Sequence, residues 1–179
     1  MNLGYFFIEF FVARAIGSVS LFADSIDFLE DASVNGLILL AMGWTAVQRA
    51  RIGMVLAGLI LIPGAAALWT AWQKFMLLVP PAPLALSITG GGALIVNLAC
   101  ALILNRYRQH SGSMTKAAFL YARNDVLANV AIIIAGLITI FVPSAWPDLI
   151  VGLGIALMNI GAAKEVFESA AKERRGAAT

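Results

Sequence analysis

An all-α fold, a polytopic membrane protein of six helices packed in one transmembrane bundle, is what this sequence predicts, on three observations. Hydrophobic residues make up 61% of the 179 positions and charged residues only 12%, half of the roughly 25% found in an ordinary soluble domain. Mean hydropathy is +0.90. Apolar stretches near the ~20 residues that cross a bilayer recur along the whole chain, parted by short segments of turn residues. The expected organisation is a single six-span domain over residues 1–170 and a short cytoplasmic tail at 171–179, with no C-terminal soluble domain. A net charge of +2 is too small to argue for nucleic acid as a partner.

The first span, Leu3 to Ser18, is short and ends at GSVS; its start has neither the basic region nor the cleavage site of a signal peptide. The second, Val19 to Val47, is interrupted by acids and ends at the basic QRARIG. The third, Gly53 to Leu78, carries Pro63 in mid-span, which predicts a kink, and stops at VPPAP. The fourth, Leu84 to Tyr107, holds Gly90, Gly91 and Gly92, small residues that let helices approach closely. After RYRQHSGSMTK comes the fifth, Lys116 to Val142; after VPSAWPD comes the sixth, Asp148 to Phe167.

Charge sets the orientation. With odd-numbered spans starting on one side, Arg49, Arg51, Arg106, Arg108, Lys116, Lys164, Lys172, Arg174 and Arg175 share that side with the N-terminus, and the opposite side has only Lys74. The positive-inside rule then puts both termini in the cytoplasm, across a plasma or inner membrane. Trp44, Trp69, Trp72 and Trp146 lie near span ends, as interfacial anchors do. Cys100, the single cysteine, sits in an apolar run and reads as a small buried residue. His110 stands alone in a loop and reads as solvated rather than as a ligand.

The informative stretch is SLFADSIDFLEDASVN, residues 20–35. On a helix advancing about 100° per residue, Asp27 at zero puts Asp31 at about 40°, Asp24 at about 60° and Asn35 at about 80°, one stripe with Glu30 off it. A carboxylate in hydrocarbon costs at least ~2.5 kcal/mol, so the stripe must face water, cations or protons. The fifth span repeats the pattern in FLYARNDVLANVAIII. From Tyr121, Asp125 lies at about 40° and Asn129 at about 80°, while Arg123 lies at about 200°, away from the stripe. Facing one another, the two helices bring Asp27, Asp31 and Asp125 to one volume. Like charges so close require a shared cation or protonation. Oxygen ligands a turn apart on two helices suit a divalent cation, and because ligands shed protons when metal binds, the same groups can exchange metal for protons. Salt bridges between helices, with Arg14 or Arg123 as partner, are the bland alternative.

These residues resemble the cation diffusion facilitator family. IEFFVARAIGSVSLFADSIDFLED is similar to its first signature, with Glu9 in the first span and Asp27 and Asp31 at the paired ligand positions. YARNDVLANVAIII resembles its His/Asp-x-x-x-Asp motif, with Asp125 in the second position, and WPDLIVGLGIALMNIGAAKEVFESA resembles its sixth span. The resemblance implies a six-helix fold, usually a homodimer, that exports divalent metal ions in exchange for protons by alternating access. It implies Asp27, Asp31 and Asp125 as metal ligands, supported by Asp24, Asn35 and Asn129. Tyr121 stands where the family usually has His or Asp and offers only a weak phenol ligand.

Three carboxylates are a hard set, suited to manganese, magnesium or iron(II) and acceptable to zinc and cobalt. The family leans to zinc, so zinc comes first and manganese close behind. The ion is cargo, with no resident cofactor and no enzymatic activity expected. Two other readings remain. One is a non-transporting relative that keeps the acids for stability or binds partner proteins. The other is a membrane enzyme of the CDP-alcohol phosphotransferase type, against which Phe28 follows Asp27 and the Ala-Arg pair at 13 and 14 lies upstream.

Overall fold

The computed structural model describes residues 1–40, 65–107 and 113–176, together with positions 48 and 55, and the side chains of most but not all of these. Every regular element among the described residues is a helix: α1 (Asn2–Ile16), α2 (Val19–Leu40), α3 (65–77), α4 (Pro83–Tyr107), α5 (Ser113–Phe141) and α6 (Trp146–Gly176). Trp44, Pro63, His110, Arg49, Arg51 and Arg108 lie outside the described residues. So do the side chains of Asn35, Arg106, Lys116 and Tyr121.

Local chemistry explains the boundaries. Gly17 ends α1 in the left-handed region at φ 64, where a side chain would be strained, and its N–H reaches back to the Ala13 carbonyl. Only Gly17 and Ser18 separate α1 from α2, and Ser18 Oγ caps α2 by accepting the Leu21 N–H at 3.1 Å. Pro83 opens α4, where a fixed φ helps and a missing N–H is harmless. Pro143 follows α5 and stops it.

The bundle is greasy outside and polar within. Ile88 (73% exposed), Ile95 (70%) and Phe141 (83%) point outward, whereas Glu9, Asp24, Asn97, Asn129, Asp148 and Asn159 are buried. Such an apolar exterior is at home in lipid or against another apolar surface, not in water. Two stretches are long and apolar enough to cross a bilayer among the described residues: 21 residues at Pro83–Ile103 and 19 at Arg123–Phe141, with a shorter one at Trp146–Gly161. Three hydroxyls within helices donate to their own backbone, Ser25 to Phe22, Thr70 to Ala66 and Thr139 to Ala135, as a medium without water favours. The 31 residues of α6 span about 46 Å, longer than a ~30 Å hydrocarbon core. The helix therefore runs on through the stretch expected as a tail, to Gly176.

α2 is the central element, packed along α1 and α6 and touching α4 and α5 more thinly, while α4 and α5 lie extensively along one another. Close approach uses the expected glycines selectively. A Cβ on Gly90 would lie 2.8 Å from Ile132 Cγ2 of α5, and one on Gly92 would meet the Tyr5 hydroxyl of α1, but Gly91 faces open space. Tyr5 donates to the Thr89 carbonyl at 2.6 Å, fastening α1 to α4.

Where α1 turns into α2, a polar knot binds one end of the bundle. Asp148, in the first turn of α6, accepts from Val19 N (2.9 Å), Ser20 N (3.2 Å), Ser18 Oγ (2.6 Å) and Ser20 Oγ (2.6 Å). A carboxylate from another helix thus satisfies α2's free N-terminal amides. Lys74 of α3 lies 3.5 Å from Asp148 Oδ2 and donates to the Gly17 carbonyl. Nearby, Phe75 packs edge-on against Trp146 at 5.8 Å; Trp72 and Trp146 are exposed, as interfacial rings are.

Candidate functional site

The acids of α2 follow the expected stripe, and the structure divides it into two zones. The first zone, nearer the α1–α2 turn, centres on Asp24, which is fully buried. Asn129 of α5 donates to Asp24 Oδ2 at 2.6 Å and accepts from Asn97 Nδ2 of α4 at 3.1 Å, so an amide chain links α4, α5 and α2. Asp24 is therefore a buried, bonded group. Glu9 of α1 is buried beside it, its carboxyl within hydrogen-bonding reach of Asp24.

In the second zone, further along α2, Asp27, Glu30 and Asp31 of α2 and Asp125 of α5 are all partly buried. Asp27 stands within electrostatic reach of Asp125, Asp24, Glu30 and Asp31, and Asp125 within reach of Asp31, Asp24 and Glu30. These side chains share a neighbourhood without closing on a point: no three His, Cys, Asp or Glu side chains among the described residues are disposed to hold one ion. Mutual repulsion opposes closure, and Asp31 is held aside by Asn2, which donates to its Oδ2 at 2.9 Å. Cys100 of α4, half-buried, lies 3.7 Å from the same asparagine, a polar contact absent from the reading of it as an apolar filler. Glu30, off the stripe by helix periodicity, nonetheless stands in reach of Asp27 and Asp125 and has no basic partner among the described residues. Arg14 and Arg123 are both exposed, leaving the acids without an internal arginine among the described residues.

The cation efflux transmembrane domain, as a family, matches residues 1–173. The chain belongs to the cation efflux family. A comparison with curated protein sequences returns no match. Membership makes the chain an integral membrane protein of a family that moves metal cations, with divalent cations as the substrate class. In this cation efflux domain the zone between α2 and α5 gathers carboxylates, the donor class that hard and borderline cations take.

Several participants escaped the sequence reading. Asn2, Asn97 and Asn159 are polar residues in apolar surroundings, and each bonds across to another helix; Asn159 Nδ2 donates to the Ala23 carbonyl at 3.1 Å. The argument that singled out the acids, that a polar group in a span must find a partner, applies to these asparagines with equal force. Asp148 left a fainter trace, as an acid at a helix start among turn residues. Nothing in the sequence says that it caps a different helix.

Proposed function

We propose that the chain exports a divalent metal cation in exchange for protons by alternating access, with Asp27, Asp31 and Asp125 as the ligands and Tyr121 as a weak fourth. Zinc is the first candidate cargo and manganese the next, with iron(II) and cobalt also compatible with the donor set. The supporting observation is that Asp27 and Asp31 of α2 lie in electrostatic reach of Asp125 on α5. A cation entering that zone relieves repulsion, and its charge favours release of protons from the carboxyls that take it up. Ligands that stand apart without an ion and close on one supply the differential contact that a change of access requires. Asp24, Asn35 and Asn129 support the zone. No covalent chemistry and no resident cofactor enter this reading.

Six spans with both termini in the cytoplasm, in a plasma or inner membrane, follow from the basic loops. A homodimer formed through the membrane helices would cover part of the apolar exterior. The test is metal-driven proton movement in proteoliposomes loaded with a pH-sensitive dye, for zinc, manganese, cobalt and magnesium, against Asp31→Ala. A signal lost in the variant supports antiport and ranks the ions. Silence for every ion, from folded protein, favours the second reading, a non-transporting relative in which the acids serve structure. That alternative draws on the separation of the carboxylates and on Tyr121 in place of an imidazole.

A further inference from the structure

Glu9 is the most anomalous side chain among the described residues. It is fully buried, and neither carboxyl oxygen has a hydrogen-bond donor. Asp24, across the α1–α2 interface, is also fully buried; its Oδ2 takes the Asn129 amide, but its Oδ1 has no donor. The two carboxyls face one another within hydrogen-bonding reach. Three acceptor oxygens without a donor are thus gathered in a dry interior.

Neighbouring groups do not resolve this. On α1, Tyr5 lies near both acids, but its hydroxyl hydrogen goes to the Thr89 carbonyl of α4. On α2, Asp27 adds another negative charge. From α5 comes the Asn129 amide, already engaged; Asn97 of α4 is bonded to that amide, and Asn159 of α6 to the Ala23 carbonyl. Among the described residues no basic side chain reaches the pair; Lys74 is tied to Asp148 and Gly17 at the α1–α2 turn. Two bare carboxylates in such a place would suffer desolvation and mutual repulsion together. One hydrogen between them removes both penalties, turning two acceptors into a donor and an acceptor.

We propose that Glu9 and Asp24 form a proton-holding pair, a site for one shared hydrogen ion distinct from the cation ligands. The ligand it takes is the proton itself. Asp24 lies on the same helix stripe as Asp27, one turn away, so a cation arriving at Asp27, Asp31 and Asp125 raises the positive potential at the pair and favours release of its proton. The pair itself is independent of transport. Its role in coupling rests on the antiport reading.

Infrared spectroscopy of the metal-free protein reads the pair directly, through the carbonyl stretch of a protonated carboxyl at neutral pH. The band is expected in the wild type, and its intensity is expected to fall by the equivalent of one group in Glu9→Gln and in Asp24→Asn. Glu9→Gln supplies an amide donor to Asp24 Oδ1 in nearly the same volume, so the fold should hold. A wild-type spectrum without the band overturns the proposal even if neither variant folds, and so does a band left unchanged by both variants. Calorimetry of zinc or manganese binding, in buffers of differing ionisation enthalpy, reads the coupling. Glu9→Gln is expected to bind the ion with unchanged stoichiometry while releasing about one proton fewer per ion. A lower metal stoichiometry in Glu9→Gln would make the pair a second cation site and refute the proton assignment. Because the band is read without metal, a protein that moves no ion can still carry the pair. Conversely, a working antiporter without the band would refute only the pair.

Discussion

Replacing Asp148 by alanine should unfasten α2 from α6 more than any other single change at that end of the bundle. The carboxylate accepts from two backbone amides and two hydroxyls, at 2.6 to 3.2 Å, and faces Lys74 at 3.5 Å, with side-chain exposures of 0% and 7%. Its removal leaves the first amides of α2 without their acceptor and a nearly buried ammonium with the Gly17 carbonyl but no counter-charge. Loss of one partner from a buried ion pair costs about 3–5 kcal/mol. Loss of a helix cap alone costs about 1 kcal/mol, and these terms overlap rather than add. The expected destabilisation is therefore about 3–5 kcal/mol, a shift of roughly a hundred-fold to several thousand-fold in the unfolding equilibrium. Denaturant unfolding in detergent micelles measures it, and the Lys74→Met, Asp148→Ala double variant completes a cycle that separates the ion pair from the cap. If Asp148→Ala falls within about 0.5 kcal/mol of wild type, as an ordinary surface substitution does, the knot carries no stability and the reasoning fails.

Asp31→Ala or Asp125→Ala should each abolish metal-dependent flux in proteoliposomes while leaving membrane insertion and monodispersity intact; wild-type flux in both would remove α2 and α5 from the mechanism. Gly152→Ala would set a Cβ within 2.7 Å of Ser20 N and 2.6 Å of Val19 Cγ1. It should cost about 1–3 kcal/mol in a thermal melt, whereas Gly91→Ala, facing open space, should be neutral or slightly stabilising. Tyr121→His adds the imidazole that zinc favours, so flux should rise for zinc relative to manganese; an unchanged ion ranking would place residue 121 outside the coordination sphere.

The helices were legible because hydropathy and breakers report directly on what a bilayer tolerates. Gly17, the VPPAP segment and Pro143 mark real ends, and the expected fourth span, Leu84 to Tyr107, differs from α4 by a single residue. The acid stripe was legible for the same reason, since charge in an apolar helix has few explanations. Distances between helices were not legible. The 100° rule placed Asp27, Asp31 and Asp125 on facing stripes, but whether carboxylates close or stand apart depends on partners such as Asn2, which comes from a third helix. Asp24 likewise shares the stripe of Asp27 but is taken up by the Asn129 amide of α5. Periodicity along one helix carries no information about which neighbour supplies the donor.

The two-residue junction at Gly17 and Ser18 makes α1 and α2 a single lever. With so little chain between them, neither can slide far without dragging the other, and Asp148 couples the start of α6 to the same lever. α4 and α5, closely packed, form the opposing arm. The seam between α2 and α5 is thin, and the Asn129 amide reaches across it to Asp24. Rocking of one arm against the other would strain that bond together with the Tyr5–Thr89 bond between α1 and α4, beside the acids that would receive the ion. Cargo and hinge would then act on the same few ångströms of the protein, so that filling the seam and moving it are one event.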